Sequence, residues 1–393
     1  MKLFVLLSRV PYPLEKGDKL RAYNHIRCLS KYHEIHLFCL NDTELHPDAE
    51  EKLSEFCKSI TIAKLSKMSV YSGLFKSLFS GLPFQAGFFY NKKIKKQILQ
   101  KIDEIRPDHI FCQLIRVTEY VKDVNIPKTL DYQDVFSKGA KRQSTQSSFF
   151  MKPILRIEAR RVERYEKYIF DKFDNKFIIS IPDRDAINHE EKNKILVIPN
   201  GVNTDYFKPV DQKKEYDILF TGNMNYPPNV NSVEYLINEI LPVLKNKIPI
   251  IKILIAGAEP HKKVRRLASE NITVSGWVED MRGCYAKSKI FVAPMQIGTG
   301  LQNKLLEAMA MKLPCVTSGL ANNALLATED NEILVGYSPE DYAEKIALLL
   351  KDPVAYDKIA EGGYNFILKN YNWETQVEKI HRIITGTISD EKI

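Results

Sequence analysis

Apolar residues gather in short runs of strand length at residues 3–8, 34–40, 59–62, 108–112, 128–131 and 176–180. Between these runs the spacing becomes helical, as at Leu20, Tyr23, Ile26 and Leu29, which follow Asp18 as a candidate N-cap. The same alternation returns at residues 217–221, 250–256, 272–275, 289–293, 314–317 and 332–335. Continuous apolar strands interleaved with amphipathic helices predict a parallel sheet covered by helices on both faces. Two such series predict two doubly wound α/β domains, in keeping with 393 residues, too many for one ordinary core.

The segment Ile198-Pro199-Asn200-Gly201-Val202-Asn203-Thr204-Asp205-Tyr206-Phe207-Lys208-Pro209 carries the Pro and Asn-Gly punctuation of a linker. Expected domains are therefore residues 1–198 and 199–372. In residues 373–393, Trp373, Val377, Ile380 and Ile384 keep helical spacing, so this tail is expected to form a helix crossing back to the first domain. One stretch departs from the alternation. Residues 70–90 are rich in Phe, Leu and Tyr, and Lys92, Lys93, Lys95 and Lys96 follow. Core packing beside a solvated helix face explains this composition, and so does an apolar surface resting on anionic lipid.

Composition narrows the class without choosing a function. With 44% apolar and 27% charged residues the chain reads as an ordinary soluble protein. Nowhere do about 18 apolar residues run together to span a bilayer. The opening apolar run stops at Ser8 and Arg9 with no small-residue cleavage site after it, as suits a buried first strand rather than a signal peptide. Cys28, Cys39, Cys57, Cys112, Cys284 and Cys315 lack paired spacing and are expected to be reduced, in a cytoplasmic protein. His33 and His36 would point to opposite faces of a strand, which disfavours a metal site there. Asp183-Arg184-Asp185 imitates a metal-binding Asp-x-Asp, but just inside a helix start at Pro182 acidic residues suit the helix dipole, which disfavours a metal role. The net charge of +8 is compatible with nucleic acid, an anionic membrane or a phosphorylated substrate. Nucleic acid is disfavoured, since no recognition motif accompanies the charge.

In open parallel sheets ligands lie at the carboxyl ends of strands, where turns open into helix N-termini. The most informative such turn runs from Ala293 to Ala310 and contains Gly298-Thr299-Gly300-Leu301-Gln302-Asn303-Lys304. Its glycines let backbone approach a diphosphate. Gly300, Lys304 and Glu307 are expected on one side of the new helix, the lysine for phosphate and the carboxylate for paired ribose hydroxyls. Gly17, Asp18 and Arg21 follow the first strand, and Asp131 and Asp134 end another. Asp18 suits helix capping as well as chemistry, and Asp131 and Asp134 suit loop capping as well as orientation of an acceptor. Arg160, Arg161 and Arg164 make residues 156–172 a basic helix, facing an anionic carrier or solvent.

Several motifs in order, RVPYP-x3-KGDKLR, LDYQDVFS, IPNGVNTDYFKP, FTGNMNYPPNVNSVEYL, SGWVEDMRGCYAKSKIFVAP and GTGLQNKLLEAMA, resemble family 4 of the retaining glycosyltransferases over nearly the whole chain. Within it they are most similar to sugar transferases of exopolysaccharide and PEP-CTERM systems. The resemblance implies a GT-B fold, two facing Rossmann-like domains with a central cleft. It also implies transfer with retention from a nucleoside-diphosphate sugar to a saccharide or lipid-linked acceptor, on domain closure. Implied donor-site residues are Gly222, Asn223, Trp277, Val278, Gly298, Thr299, Gly300, Leu301, Asn303, Lys304 and Glu307, and Gly17, Asp18 and Arg21 are implied on the acceptor side. Asp18, Asp131, Asp134, Lys304 and Glu307 are the implied catalytic set. No cofactor or divalent metal is implied, and the inner face of the cytoplasmic membrane is the expected place of work.

Two departures bear on this reading. The family usually has a Glu eight positions before Glu307, where this chain has Thr299. Relatives carry Gly-Arg and a later Lys on the first loop of the second domain, where Gly222-Asn223 and Asn229 stand here. Donor identity does not carry over, and an epimerase of the same fold or a non-catalytic partner remains an alternative.

Overall fold

The computed structural model describes residues 1–387 except Thr299. Runs such as Leu3 to Leu7 and Ile35 to Leu40 are buried because parallel strands with helices on both faces have no solvent side. The first sheet is built from β1 (Lys2–Leu7), β2 (Glu34–Asn41), β3 (Ser59–Lys64), β4 (His109–Gln113), β5 (Lys128–Asp131), β6 (Asn175–Ile178) and β7 (Leu196–Val197). Its order is β3-β2-β1-β4-β5-β6-β7, with parallel pairing throughout. The second sheet contains β8 (Tyr216–Thr221), β9 (Ile253–Ala256), β10 (Ile272–Gly276), β11 (Ser288–Ala293), β12 (Cys315–Ser318) and β13 (Leu334–Gly336), in the order β10-β9-β8-β11-β12-β13. Both sheets thus reverse direction between their first and fourth strands, the switch point where such folds bind ligands. The two-residue β7 was not legible as a strand.

The described chain divides into two compact units, Met1–Pro199 with the chain from Trp373, and Asn200–Asn372. In the first unit, helices α1 (Gly17–Leu29), α2 (Lys67–Ser80), α3 (Phe84–Phe89), α4 (Lys92–Ile105) and α5 (Lys152–Phe170) matter below. In the second they are α6 (Pro227–Tyr235), α7 (Met281–Ala286) and α8 (Asn303–Ala310). The last described helix, α9 (Trp373–Ile384), belongs to the first unit and packs on α1. Its Trp373, Val377, Ile380 and Ile384 join the buried cluster formed by Leu3, Val5, Ile26 and Leu29.

Two local expectations are corrected. Asp18 is not the N-cap of α1. Lys16 holds that position without a side-chain hydrogen bond, and Asp18 lies inside the first turn, its carboxylate drawn to Arg9 at 3.2 Å. Nor do residues 70–90 resolve into ordinary core. α3 buries Ala86 and Phe89, but the large side chains of α2, among them Tyr71, Phe75 and Phe79, stand exposed.

All six cysteines are unpaired. His33 and His36 find separate partners, His381 at 3.0 Å for one and Ser59 and Glu34 for the other. The Asp183 backbone donates to Ser180 Oγ, and its carboxylate lies 2.6 Å from the same hydroxyl, an N-terminal cap. Among the described residues no group of His, Cys, Asp and Glu could hold a metal, and no helix is long and apolar enough to cross a membrane.

Candidate functional site

At the carboxyl edge of the second sheet, three neighbouring strands end in glycines of positive φ: Gly222 after β8 at 147°, Gly257 after β9 at 146° and Gly276 closing β10 at 72°. A Cβ on Gly257 would stand 1.7 Å from the Gly222 carbonyl oxygen, so the two turns touch backbone to backbone. Only glycine allows this approach. A Cβ on Gly222 would lie 2.6 Å from the Asn229 amide nitrogen and 3.2 Å from Lys304 Nζ. Bare backbone therefore faces the lysine amine directly.

Lys304 sits in the first turn of α8, which no side chain caps. Its ammonium donates to Asn229 Oδ1 and lies 4.5 Å from the centre of the Phe220 ring. Asn229 is held in turn by its amide, which donates to the Asn223 carbonyl at 2.8 Å. Three residues further along α8, Glu307 Oε2 accepts from the Tyr285 hydroxyl at 2.8 Å, and that hydroxyl lies 2.9 Å from Thr221 Oγ1. Burial holds Lys304 down to about 7 and pushes Glu307 up to about 7, while their mutual attraction opposes both shifts. A lysine and a glutamate both shifted this far from their ordinary values, beside bare glycine backbone, mark this edge as the candidate site.

Other expected residues take varied places around this edge. Gly298, at φ 95°, packs against Pro228, where an added Cβ would have carbon at 3.6 Å. Leu301 and Val278 lean on the domain core, while Trp277 is exposed. The Asn303 side chain accepts from Asn200 at 3.0 Å, tying the linker to the start of α8. Asn223 staples its own turn, accepting from Asn225 N at 2.8 Å and donating to Glu259 at 3.2 Å. Gly300 does not share the helical face of Lys304 and Glu307, because α8 begins at Asn303 and Gly300 stays in the bend before it. Thr299 lies outside the described residues. Sequence reading missed Tyr285 and Thr221, since a tyrosine on an apolar helix face and a threonine ending a strand both pass for core.

The carboxyl edge of the first sheet is built differently. Arg21 grips Asp131 with two bonds, Nε at 2.6 Å and an Nη at 3.0 Å, and both side chains are 0% exposed. Arg21, expected on the acceptor side, and Asp131, expected in the catalytic set, are thus placed against one another with neither side chain reaching solvent, and the pair ties α1 to the end of β5. Gly17 opens α1 with nothing near the place of a Cβ. Asp18 and Asp134 remain accessible. Asp18 meets Arg9 at 3.2 Å and Arg116 at 4.0 Å, two cations that sequence reading passed over. Burial holds the Arg116 guanidinium down to about 10, and it lies over the rings of Phe89 and Phe136. Asp134 reaches solvent, yet the protein around it and the carboxylate of Asp183 raise it to about 6, against the opposing pull of Arg21. Gln133 before it, at φ 60°, has a backbone conformation that costs a non-glycine residue roughly 1–3 kcal/mol.

Residues 215–352, which include Gly222, Lys304 and Glu307, match the family model described as glycosyl transferases group 1. Across 94% of its length the chain is 22% identical to an uncharacterised 44.6 kDa protein of the cps region of Klebsiella pneumoniae, covering 96% of that protein. It is 24% identical to the Escherichia coli UDP-Gal:alpha-D-GlcNAc-diphosphoundecaprenol alpha-1,3-galactosyltransferase, in a match spanning 48% of this chain and 53% of that enzyme. The fold is that of Anabaena HepE, solved with UDP and glucose, at a TM-score of 0.70, 12% identity and coverage of 98% of this chain and 99% of that one. A glycine-lined strand edge with a lysine and a glutamate on the following helix thus lies inside the segment that matches the group 1 glycosyl transferases, and the two doubly wound sheets carry the GT-B fold.

Proposed function

We propose that the second unit binds a nucleoside-diphosphate sugar at the Gly222 edge, and that its sugar passes with retention to a saccharide or lipid-linked saccharide acceptor. The observation that carries this reading is the approach of bare Gly222 backbone to Lys304, with Glu307 one turn further along the same helix. Lys304 and the N–H groups opening α8 hold the diphosphate. Glu307, oriented by Tyr285, accepts from the ribose hydroxyls. As the bond from the anomeric carbon to the diphosphate breaks, the developing negative charge is met by Lys304 and the helix N-terminus, which supplies without a divalent cation the stabilisation that metals supply elsewhere. The acceptor oxygen attacks from the face the diphosphate leaves, and its proton passes to the departing phosphate oxygen. A same-face displacement suits a site whose Glu307 carboxylate is tied to Tyr285 rather than free to attack.

Asp18 and Asp134, with Arg9 and Arg116 beside them, give the first unit polar groups suited to the hydroxyls or phosphates of an acceptor. The kinship with an enzyme acting on a diphosphoundecaprenol-linked sugar supports a lipid-linked acceptor, used at the inner face of the cytoplasmic membrane. NMR of the product tests the stereochemistry. An α-linked donor should give an α-linked product, at a rate unchanged in EDTA. A β-linkage would overturn retention, and complete loss of turnover in EDTA, restored by Mg²⁺, would overturn the metal-free site.

A further inference from the structure

Helix α2 is amphipathic in an inverted sense. Its buried residues are Gly73 and Ser77, while Met68, Tyr71, Phe75, Leu78 and Phe79 are exposed, Phe79 by 79%. The reason lies in its packing against α3. A Cβ on Gly73 would stand 2.2 Å from the Gly87 carbonyl oxygen, and one on Gly87 would stand 1.7 Å from Ser77 Oγ. Such close approach admits only small side chains, so the large ones are left on the outer face.

A second apolar stretch leads into α5, where Phe149 and Phe150 are each 84% exposed and Met151, Ile154 and Ile157 follow. The two stretches belong to neighbouring elements. Arg161 of α5 donates to the carbonyls of Ser77 and Leu78 at 3.2 and 3.1 Å, and Glu158 accepts from Phe84 N at 2.7 Å. Water-facing aromatic side chains in this number mark an interaction surface.

Charge identifies the partner. Residues 56–102 contain nine lysines and no Asp or Glu. Residues 135–162 contain seven Lys and Arg against one carboxylate, Glu158, which is buried. Beside α2 opens a cavity of about 570 Å³ whose lining includes Lys76, Lys92 and Lys93, with Lys122 paired to Glu119 at 2.9 Å on its wall, room for a phosphate headgroup. We infer that α2 and the segment 149–157 form one platform that inserts its aromatic side chains into an anionic bilayer while the surrounding cations hold lipid phosphates. This inference rests on the reading that the acceptor is presented at a membrane, and it names the surface that docks there.

Flotation of the intact chain with phosphatidylcholine vesicles, with and without phosphatidylglycerol, tests it. The wild type should float with the anionic vesicles at low salt, and several-fold less at high salt or without phosphatidylglycerol. The double variants Phe75→Ser/Phe79→Ser and Phe149→Ser/Phe150→Ser should each lower binding by at least about tenfold. Both should keep wild-type melting and wild-type turnover of a water-soluble acceptor, because these side chains lie outside the donor-site cluster. No flotation of the wild type, or variants that float equally well, would overturn the platform. So would light scattering that shows the wild type self-associating through these residues, since a second copy would then be their partner. Failure of turnover on every acceptor, with flotation intact, would instead strike the proposed reaction and leave the platform standing.

Discussion

The two sheets share one strand order up to the sixth strand, yet their carboxyl edges solve opposite problems. In the second unit the edge is stripped to glycine backbone, and Lys304 and Glu307 on the helix behind it are both drawn toward neutrality. In the first unit the corresponding edge is closed by a fully buried bidentate pair, Arg21 with Asp131, while Asp18 and Asp134 remain accessible beside it. Topology provides a place where a ligand can sit. Whether charge there is spent on the fold or kept for a ligand is decided by the partners each side chain finds.

The largest difference should therefore appear in stability. Asp131→Ala leaves Arg21 buried without its carboxylate, and breaking such a pair costs about 3–5 kcal/mol. Lys304→Met removes a charge that burial already disfavours, so it should leave unfolding nearly unchanged while abolishing nucleotide binding. Denaturant unfolding followed by fluorescence, beside calorimetric titration with UDP, separates the two outcomes. If Asp131→Ala were as stable as wild type, the contrast between the edges would collapse.

A smaller effect, and a sharper one for the donor site, comes from two glycines. Gly222→Ala forces a Cβ to within 3.2 Å of Lys304 Nζ, at a φ that L-residues avoid, and should weaken UDP binding by about 2–3 kcal/mol, or roughly 30- to 150-fold. Gly17→Ala meets open space in the first turn of α1 and should change stability by less than about 1 kcal/mol, in the stabilising direction. Equal affinities for UDP in wild type and Gly222→Ala would move the donor away from this edge.

How much of this was legible follows from the range over which each feature is encoded. Parallel strands announce themselves as local apolar runs, and the turn before Lys304 carries its glycines in sequence, so both could be read. The Arg21–Asp131 pair joins residues 110 positions apart, and nothing local distinguishes a carboxylate that will be buried against arginine from one left to a substrate. Tyr285 was hidden for a similar reason, because its hydroxyl meets Glu307 only once α7 and α8 are placed. The helix α2 shows a different limit. Helical spacing reveals that Tyr71, Phe75 and Phe79 share a face, and convention puts that face inside. The overlooked clue was the opposite face, where Gly73 and Ser77, four residues apart, allow the contact with Gly87 that turns the aromatics outward.

The finest test concerns Glu307 alone. Glu307→Gln keeps the shape and an oxygen for the Tyr285 hydroxyl but removes the charge expected to meet ribose, and losing a charged hydrogen-bond partner costs about 1.5–3 kcal/mol, or roughly 10- to 150-fold in affinity. The fold should not suffer. A carboxyl raised from 4.5 to about 7 in the folded chain binds protons more tightly there than when unfolded, so its ionisation lowers stability as pH rises between those values. The glutamine variant escapes that loss, and at pH 8 its melting temperature should equal or exceed that of wild type. As pH drops through about 7 two contributions to wild-type affinity for UDP oppose one another, loss of the Glu307 charge weakening the hold on ribose and protonation of Lys304 favouring the diphosphate, whereas the variant should show only the second, a gain in affinity towards low pH. Titrations at pH 6 and pH 8 in both proteins decide the point: if wild type and variant bound equally at pH 8, Glu307 would have no part in holding the donor.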